Sequence, residues 1–165
     1  MTEENTKQLR LLESGSVEDL WEAAKAISSA ATELQAQLLR LLVEGDRPDV
    51  RAAAAYALGM GRFGLGRRAL EESLEDRDEH STVRSHAAEA LAYLQSSESS
   101  QVLSRHISDP DLAVRYWVIF ALGAVGGREV IPLLRSAAEQ AGDAHCNGVS
   151  LKAEAMNAID QIEAR

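Results

Sequence analysis

The sequence predicts an all-α chain laid out as a row of about five helical hairpins, and three observations carry that prediction. Ala and Leu dominate the apolar residues while aromatics make up only 4% of 165 residues, a balance that favours closely packed helices over sheets. One string recurs, as VRAAAAYAL at 50–58, VRSHAAEAL at 83–91 and VRYWVIFAL at 114–122. Each copy reads Val-Arg, two variable residues, two small or aliphatic residues, one variable residue and Ala-Leu. Turn and cap residues then punctuate the chain between the copies.

Taken in order, the chain opens on the polar, acidic MTEENTKQLR, which contains no apolar signal core. DLWEAAKAI at 19–27 is a degenerate first copy of the string. Leu34, Leu38, Leu41 and Leu42 then recur at helical spacing and predict a first helix. It leads into a second helix whose Val50, Ala54, Ala57 and Leu58 share one face. Leu70 and Leu74 stand in the same relation to the copy at Val83, and Val102, Leu103 and Ile107 to the copy at Val114. Val130, Ile131, Leu133 and Leu134 precede LKAEAMNAI at 151–159, a degenerate last copy. The equivalent positions Leu20, Arg51, Arg84, Arg115 and Lys152 lie 31, 33, 31 and 37 residues apart. Units of one domain are therefore expected at about 1–29, 30–61, 62–95, 96–126 and 127–165. Asp109 before Pro110 reads as an N-cap and first helical residue, Ser16 and Ser81 as further caps, and Gly59, Gly123 and Gly126 as helix-end glycines.

Strings such as DLAVRYWVIFALGAVG resemble HEAT repeats of the short bacterial kind also found in phycobilin lyases. The resemblance covers nearly the whole chain and is strongest in the three central units. The first and last units lack Val-Arg and the closing Gly, as capping repeats do. The resemblance implies a right-handed α-α superhelix with the second helices on its concave face. It also implies a ladder of Arg and Asp at the turns. Its members here are Arg51, Arg84 and Arg115 with Asp49, Asp78, Asp109 or Asp111, and Lys152 as a weaker substitute. A planar guanidinium suits paired contacts in such a ladder, so these arginines are read as structural.

The repeat sorts the aromatics. Five of the seven fall in the three variable columns of the second helices, where repeat packing does not require them. Those columns hold Trp21, Glu22 and Lys25; Ala52, Ala53 and Tyr56; Ser85, His86 and Glu89; Tyr116, Trp117 and Phe120; and Ala153, Glu154 and Asn157. The columns are expected to face solvent. Trp117 and Phe120, one turn apart, would form an apolar platform with Tyr116, rimmed by Glu22, Glu89 and Glu154.

Charge narrows the partners. A net charge of −9 disfavours nucleic acid. The chain lacks a run of the roughly 20 apolar residues that a membrane span needs. A soluble, cytoplasmic protein is expected, and the single Cys146 fits a reducing compartment. GMGRFG at 59–64 matches a dinucleotide-binding glycine pattern but follows a helix instead of a strand, so the glycines are read as a turn. Arg62, Arg67 and Arg68 read as a solvated basic loop, and His145 and Cys146 as part of a polar connection without metal-ligand spacing.

The expected function is a noncatalytic interaction module that grips a basic or amphipathic protein segment. Trp117, Phe120, Tyr116, Tyr56, His86, Glu89, Trp21 and Glu154 would carry the contact, with no cofactor and no metal. The lyase resemblance implies an alternative, a bilin lyase-like or chaperone-like factor for a tetrapyrrole protein, and leaves lyase-type activity open. Self-association through the terminal repeats is a further expectation.

Overall fold

Apolar positions at helical spacing fold into ten α-helices among the described residues of a computed structural model, which describes residues 2–28 and 34–165. The helices come in successive pairs. These are α1 (Glu3–Ser14) with α2 (Val17–Ser28), α3 (Gln35–Glu44) with α4 (Pro48–Met60), and α5 (Arg67–Glu75) with α6 (Ser81–Leu94). They continue with α7 (Ser100–Arg105) and α8 (Leu112–Val125), then α9 (Ile131–Gln140) and α10 (Leu151–Glu163). Each second helix packs on the next, so α2, α4, α6, α8 and α10 form one row, and each first helix lies against its own partner. The result is an all-α solenoid two helices thick. Its core runs continuously between the layers through fully buried leucines such as Leu38, Leu58, Leu74, Leu91, Leu103 and Leu122.

Small residues set the spacing within the row. Gly59, the last residue but one of α4, lies against Ala90 of α6, and a Cβ at Gly59 would overlap both the Cα and Cβ of Ala90. Gly123 repeats the arrangement inside α8, where a Cβ would stand 2.9 Å from the Cα and Cβ of Ala158 on α10. The glycine after Ala-Leu in one unit thus receives the Ala of Ala-Leu from the next. Gly126 does close its helix, its N–H donating to Leu122 O at 2.8 Å.

The caps also depart from the sequence expectation. Asp111, and not Asp109, starts α8, because its carboxylate accepts from the N–H groups of Ala113 (2.9 Å) and Val114 (3.1 Å). His80 starts α6 in place of Ser81, its Nδ1 accepting from Thr82 N–H at 3.2 Å. Ser16 does cap α2, its hydroxyl accepting from Asp19 N–H while the Asp19 carboxylate accepts from Ser16 N–H and Oγ–H. The polar N-terminal stretch, given no helix by the sequence analysis, folds as α1 and buries Leu9 and Leu12.

The ladder between units uses one of the expected acids, Asp109, and one that was not expected, Glu79. Arg51 of α4 donates twice to Glu79, from Nε at 2.8 Å and from Nη2 at 2.7 Å, and once to Gly45 O at 2.6 Å. Asp78 instead lies exposed in the turn, its N–H held by Asp76, which leaves the longer Glu79 to reach Arg51. Arg84 pairs with Asp109, both side chains buried. Asp49 is held by Arg47, two residues before it, and Asp111 is occupied as a cap. Arg115 donates to Asp109 O at 3.2 Å, and among the described residues no carboxylate pairs with it.

The long last spacing is a small hairpin, not an irregular polar loop. Its strands β1 (His145–Cys146) and β2 (Val149–Ser150) pair antiparallel, His145 opposite Ser150. Asn147 (φ 50°) and Gly148 (φ 80°) make the turn, the Asn-Gly chemistry that favours two successive left-handed residues.

The close approach in the row gives a direct test. Gly59→Ala should destabilise the protein by about 1–3 kcal/mol, as overpacking does. Gly64→Ala, in open space, should change stability far less. Chemical denaturation of both variants checks this, and equal midpoints would contradict it.

Candidate functional site

One face of the second-helix row carries a run of rings that crosses from helix to helix. Trp21 (α2), Tyr56 (α4) and His86 (α6) form the first group. The Trp21 ring lies 5.8 Å from Tyr56, edge to face, and 4.8 Å from His86. Tyr93 (α6), Phe120, Trp117 and Tyr116 (all α8) form the second group. Their successive centroid separations are 6.4, 5.4 and 5.1 Å, all edge to face. Trp117 and Phe120 therefore interlock at 86° and do not lie flat as a platform. The rings of Trp21, Tyr56, Tyr93, Tyr116, Trp117 and Phe120 are all half-buried, and all but Tyr93 have one side on the core.

Acids sit among the rings. Glu89 is 6% exposed and its Oε2 lies 2.8 Å from Nδ1 of His86, a member of the first group. Glu154, from α10, is 7% exposed. Its Oε1 is buried without a hydrogen-bond partner, and Asn157 is the polar side chain beside it. Both acids lie within the rings and not around them as a rim, since the row closes over side chains one column deeper than the repeat suggests. The same closure buries Ala52, Ala53 and Ser85. Glu22 alone stays exposed, paired with Lys25 at 2.9 Å, and Ala153 and Asn157 are exposed at the other end.

The electrostatics agree with this crowding. Burial pushes the Glu154 carboxyl above its ordinary value. Burial also raises the Tyr116 phenol, and the nearby Glu154, Cys146 and Glu89 raise it further. The Tyr93 phenol is raised by burial and then by Glu89, Tyr56 and Tyr116. Every charged or titratable neighbour that acts on these two phenols is acidic.

Tyr93 was missed at the sequence level. It lies one turn after Glu89, outside the nine-residue string, and the i, i+4 step from that variable column was the available signal. Other candidates are placed elsewhere. GMGRFG runs from the end of α4 through Arg62, at φ 52°, to a buried Phe63. Arg67 pairs with Glu71 and Glu98, and Arg68 with Glu72, so the basic loop is neutralised by its own neighbours. His145 is exposed. Cys146 is buried against α8, and burial raises its thiol pKa, which makes it a poor nucleophile. Among the described residues no group of three or more His, Cys, Asp or Glu side chains could hold a metal ion. None of their helices is long and apolar enough to cross a membrane. A concavity of about 920 Å³ is an open groove lined by residues between Thr2 and Ser14.

A family profile described as HEAT repeats matches residues 67–146, from α5 through β1. This stretch of the chain is built of HEAT repeats. The matched HEAT units contribute His86, Glu89, Tyr93, Tyr116, Trp117 and Phe120 to the ring face, while Trp21, Tyr56 and Glu154 come from units outside the match. No curated protein matches the chain. HEAT repeats commonly mediate protein–protein interaction, and their stacked helices present extended surfaces.

The buried acid makes a prediction about stability. Because Glu154 has a raised pKa when folded, its ionisation opposes folding as pH rises above the ordinary carboxylate range. Glu154→Gln should therefore be more stable than the wild type at pH 8, by about 1 kcal/mol. The advantage should shrink toward pH 4. Denaturation across that pH range checks it, and a constant difference would show that Glu154 does not titrate in this way.

Proposed function

We propose that the protein is a noncatalytic interaction module whose second-helix face, the concave side in this reading, holds a segment of another protein. One observation carries the proposal. Half-exposed rings run across α2, α4, α6 and α8 in two groups of ring contacts, with the buried acids Glu89 and Glu154 on the same row of helices. Half-buried aromatics anchored on a core are good contact residues, since they bring large area at small entropic cost. The acids favour a basic or amphipathic segment. The alternative of a bilin lyase-like factor rests on the family resemblance alone, and the buried, weakly nucleophilic Cys146 adds nothing to it.

Affinity capture from lysate with the wild type and a Trp117→Ala/Phe120→Ala variant tests the reading. A partner held by the wild type should be lost by the folded variant, since truncating central anchors costs about 2 kcal/mol or more each. Circular dichroism establishes that the variant is folded. Identical capture by both proteins would return these rings to a packing role.

A further inference from the structure

The least explained group in the row is the Glu154 carboxylate. It lies on α10 beside the last ring group, and its Oε1 is shielded from water and accepts no hydrogen bond. An unmatched buried acceptor is costly, by about 1–3 kcal/mol. The repeat does not demand it either. The equivalent column holds Glu22, exposed, in the first unit, Ala53 in the second, His86 in the third and Trp117 in the fourth, each compatible with the same backbone.

Its surroundings say what would satisfy it. Glu89 on α6 and Glu154 on α10 flank α8, the helix that carries Tyr116, and both act on its phenol. Trp117 stands 5.1 Å from that phenol ring and Phe120 lies beyond it. His86 is already engaged by Glu89. Two acids flanked by aromatic rings form an environment suited to a cation, which the ring quadrupoles and the carboxylates attract together.

Resting on the reading that a protein segment lies on this face, we infer that Glu154, with Glu89, Tyr116 and Trp117, is the seat for one arginine side chain of that segment. Guanidinium suits the seat better than ammonium. Its flat face stacks on rings, its fork offers two N–H groups to one carboxylate, and it is the more weakly hydrated cation. Engagement requires Glu154 to turn Oε1 toward the open side. Asn157 hydrogen-bonds to the carboxylate and is itself exposed.

The test needs no natural partner. Butylguanidinium chloride is titrated into the full-length, ¹⁵N-labelled protein, with butylammonium and the neutral butylurea as comparisons. The readouts are the indole N–H signals of Trp117 and Trp21 and the backbone amide of Glu154. Butylguanidinium should shift the Trp117 and Glu154 signals saturably, leave Trp21 nearly unmoved, and bind about tenfold more tightly than butylurea. Glu154→Gln, whose spectrum reports its own folding, should lose that selectivity, and Glu89→Gln should weaken it.

Equal shifts with butylurea, undiminished binding in Glu154→Gln, or no saturable shift up to about 100 mM would overturn the seat, since millimolar affinity is the scale of a single-group contact. Equal affinity for butylammonium would overturn the choice of arginine. The two readings fail separately. A seat that binds butylguanidinium while capture is unaffected by Trp117→Ala/Phe120→Ala would refute the segment reading alone. A segment captured through those rings without guanidinium selectivity would refute the seat alone.

Discussion

The close approach of neighbouring second helices is the constraint on which the rest of the structure depends. Where Gly59 meets Ala90 and Gly123 meets Ala158, two helices come together without side chains between them. At that spacing the variable columns of adjacent units are near enough for rings to touch across helices, as Trp21, Tyr56 and His86 do. Wider packing would separate the rings and admit water between them. Closer packing also removes room, which is why Ala52, Ala53, Ser85, Glu89 and Glu154 are buried at positions that the repeat pattern leaves free.

The interunit ladder fixes register where the row fixes distance. The Arg51–Glu79 contacts and the buried Arg84–Asp109 pair each tie one hairpin to the next at the turn edge. Pairing of this kind contributes less to net stability than to alignment, because desolvation offsets most of the attraction. The ladder stops at Arg115, where the following connection is the β1–β2 hairpin and Arg115 turns to a backbone carbonyl.

Much of this was legible in the sequence. Five copies of one string, with apolar residues at helical spacing, sufficed for an all-α solenoid, since one amphipathic helix cannot bury its face without neighbours. The rings were also found, because the repeat marks which columns packing does not need. What escaped was set by geometry between units. Asp78 and Glu79 are adjacent acids in one turn, and only the turn's path selects Glu79 for Arg51. Glu89 and Glu154 read as surface acids because sequence periodicity reports which way a side chain points from its own helix, not how closely the next helix covers it. The His145–Ser150 hairpin was masked by its shortness, although its Asn-Gly turn was in view.

In the proposed reading, the aromatic anchors and buried acids make the second-helix row the working surface and the first helices its support. Photo-crosslinking tests that division most directly. A benzophenone side chain is placed at Asn157, exposed beside Glu154, or at Val43, which is 67% exposed on α3 in the outer layer. The account predicts adducts with a partner from position 157 and none from position 43, with an arginine in the crosslinked peptide. Adducts formed equally from both positions, or from position 43 alone, would contradict it.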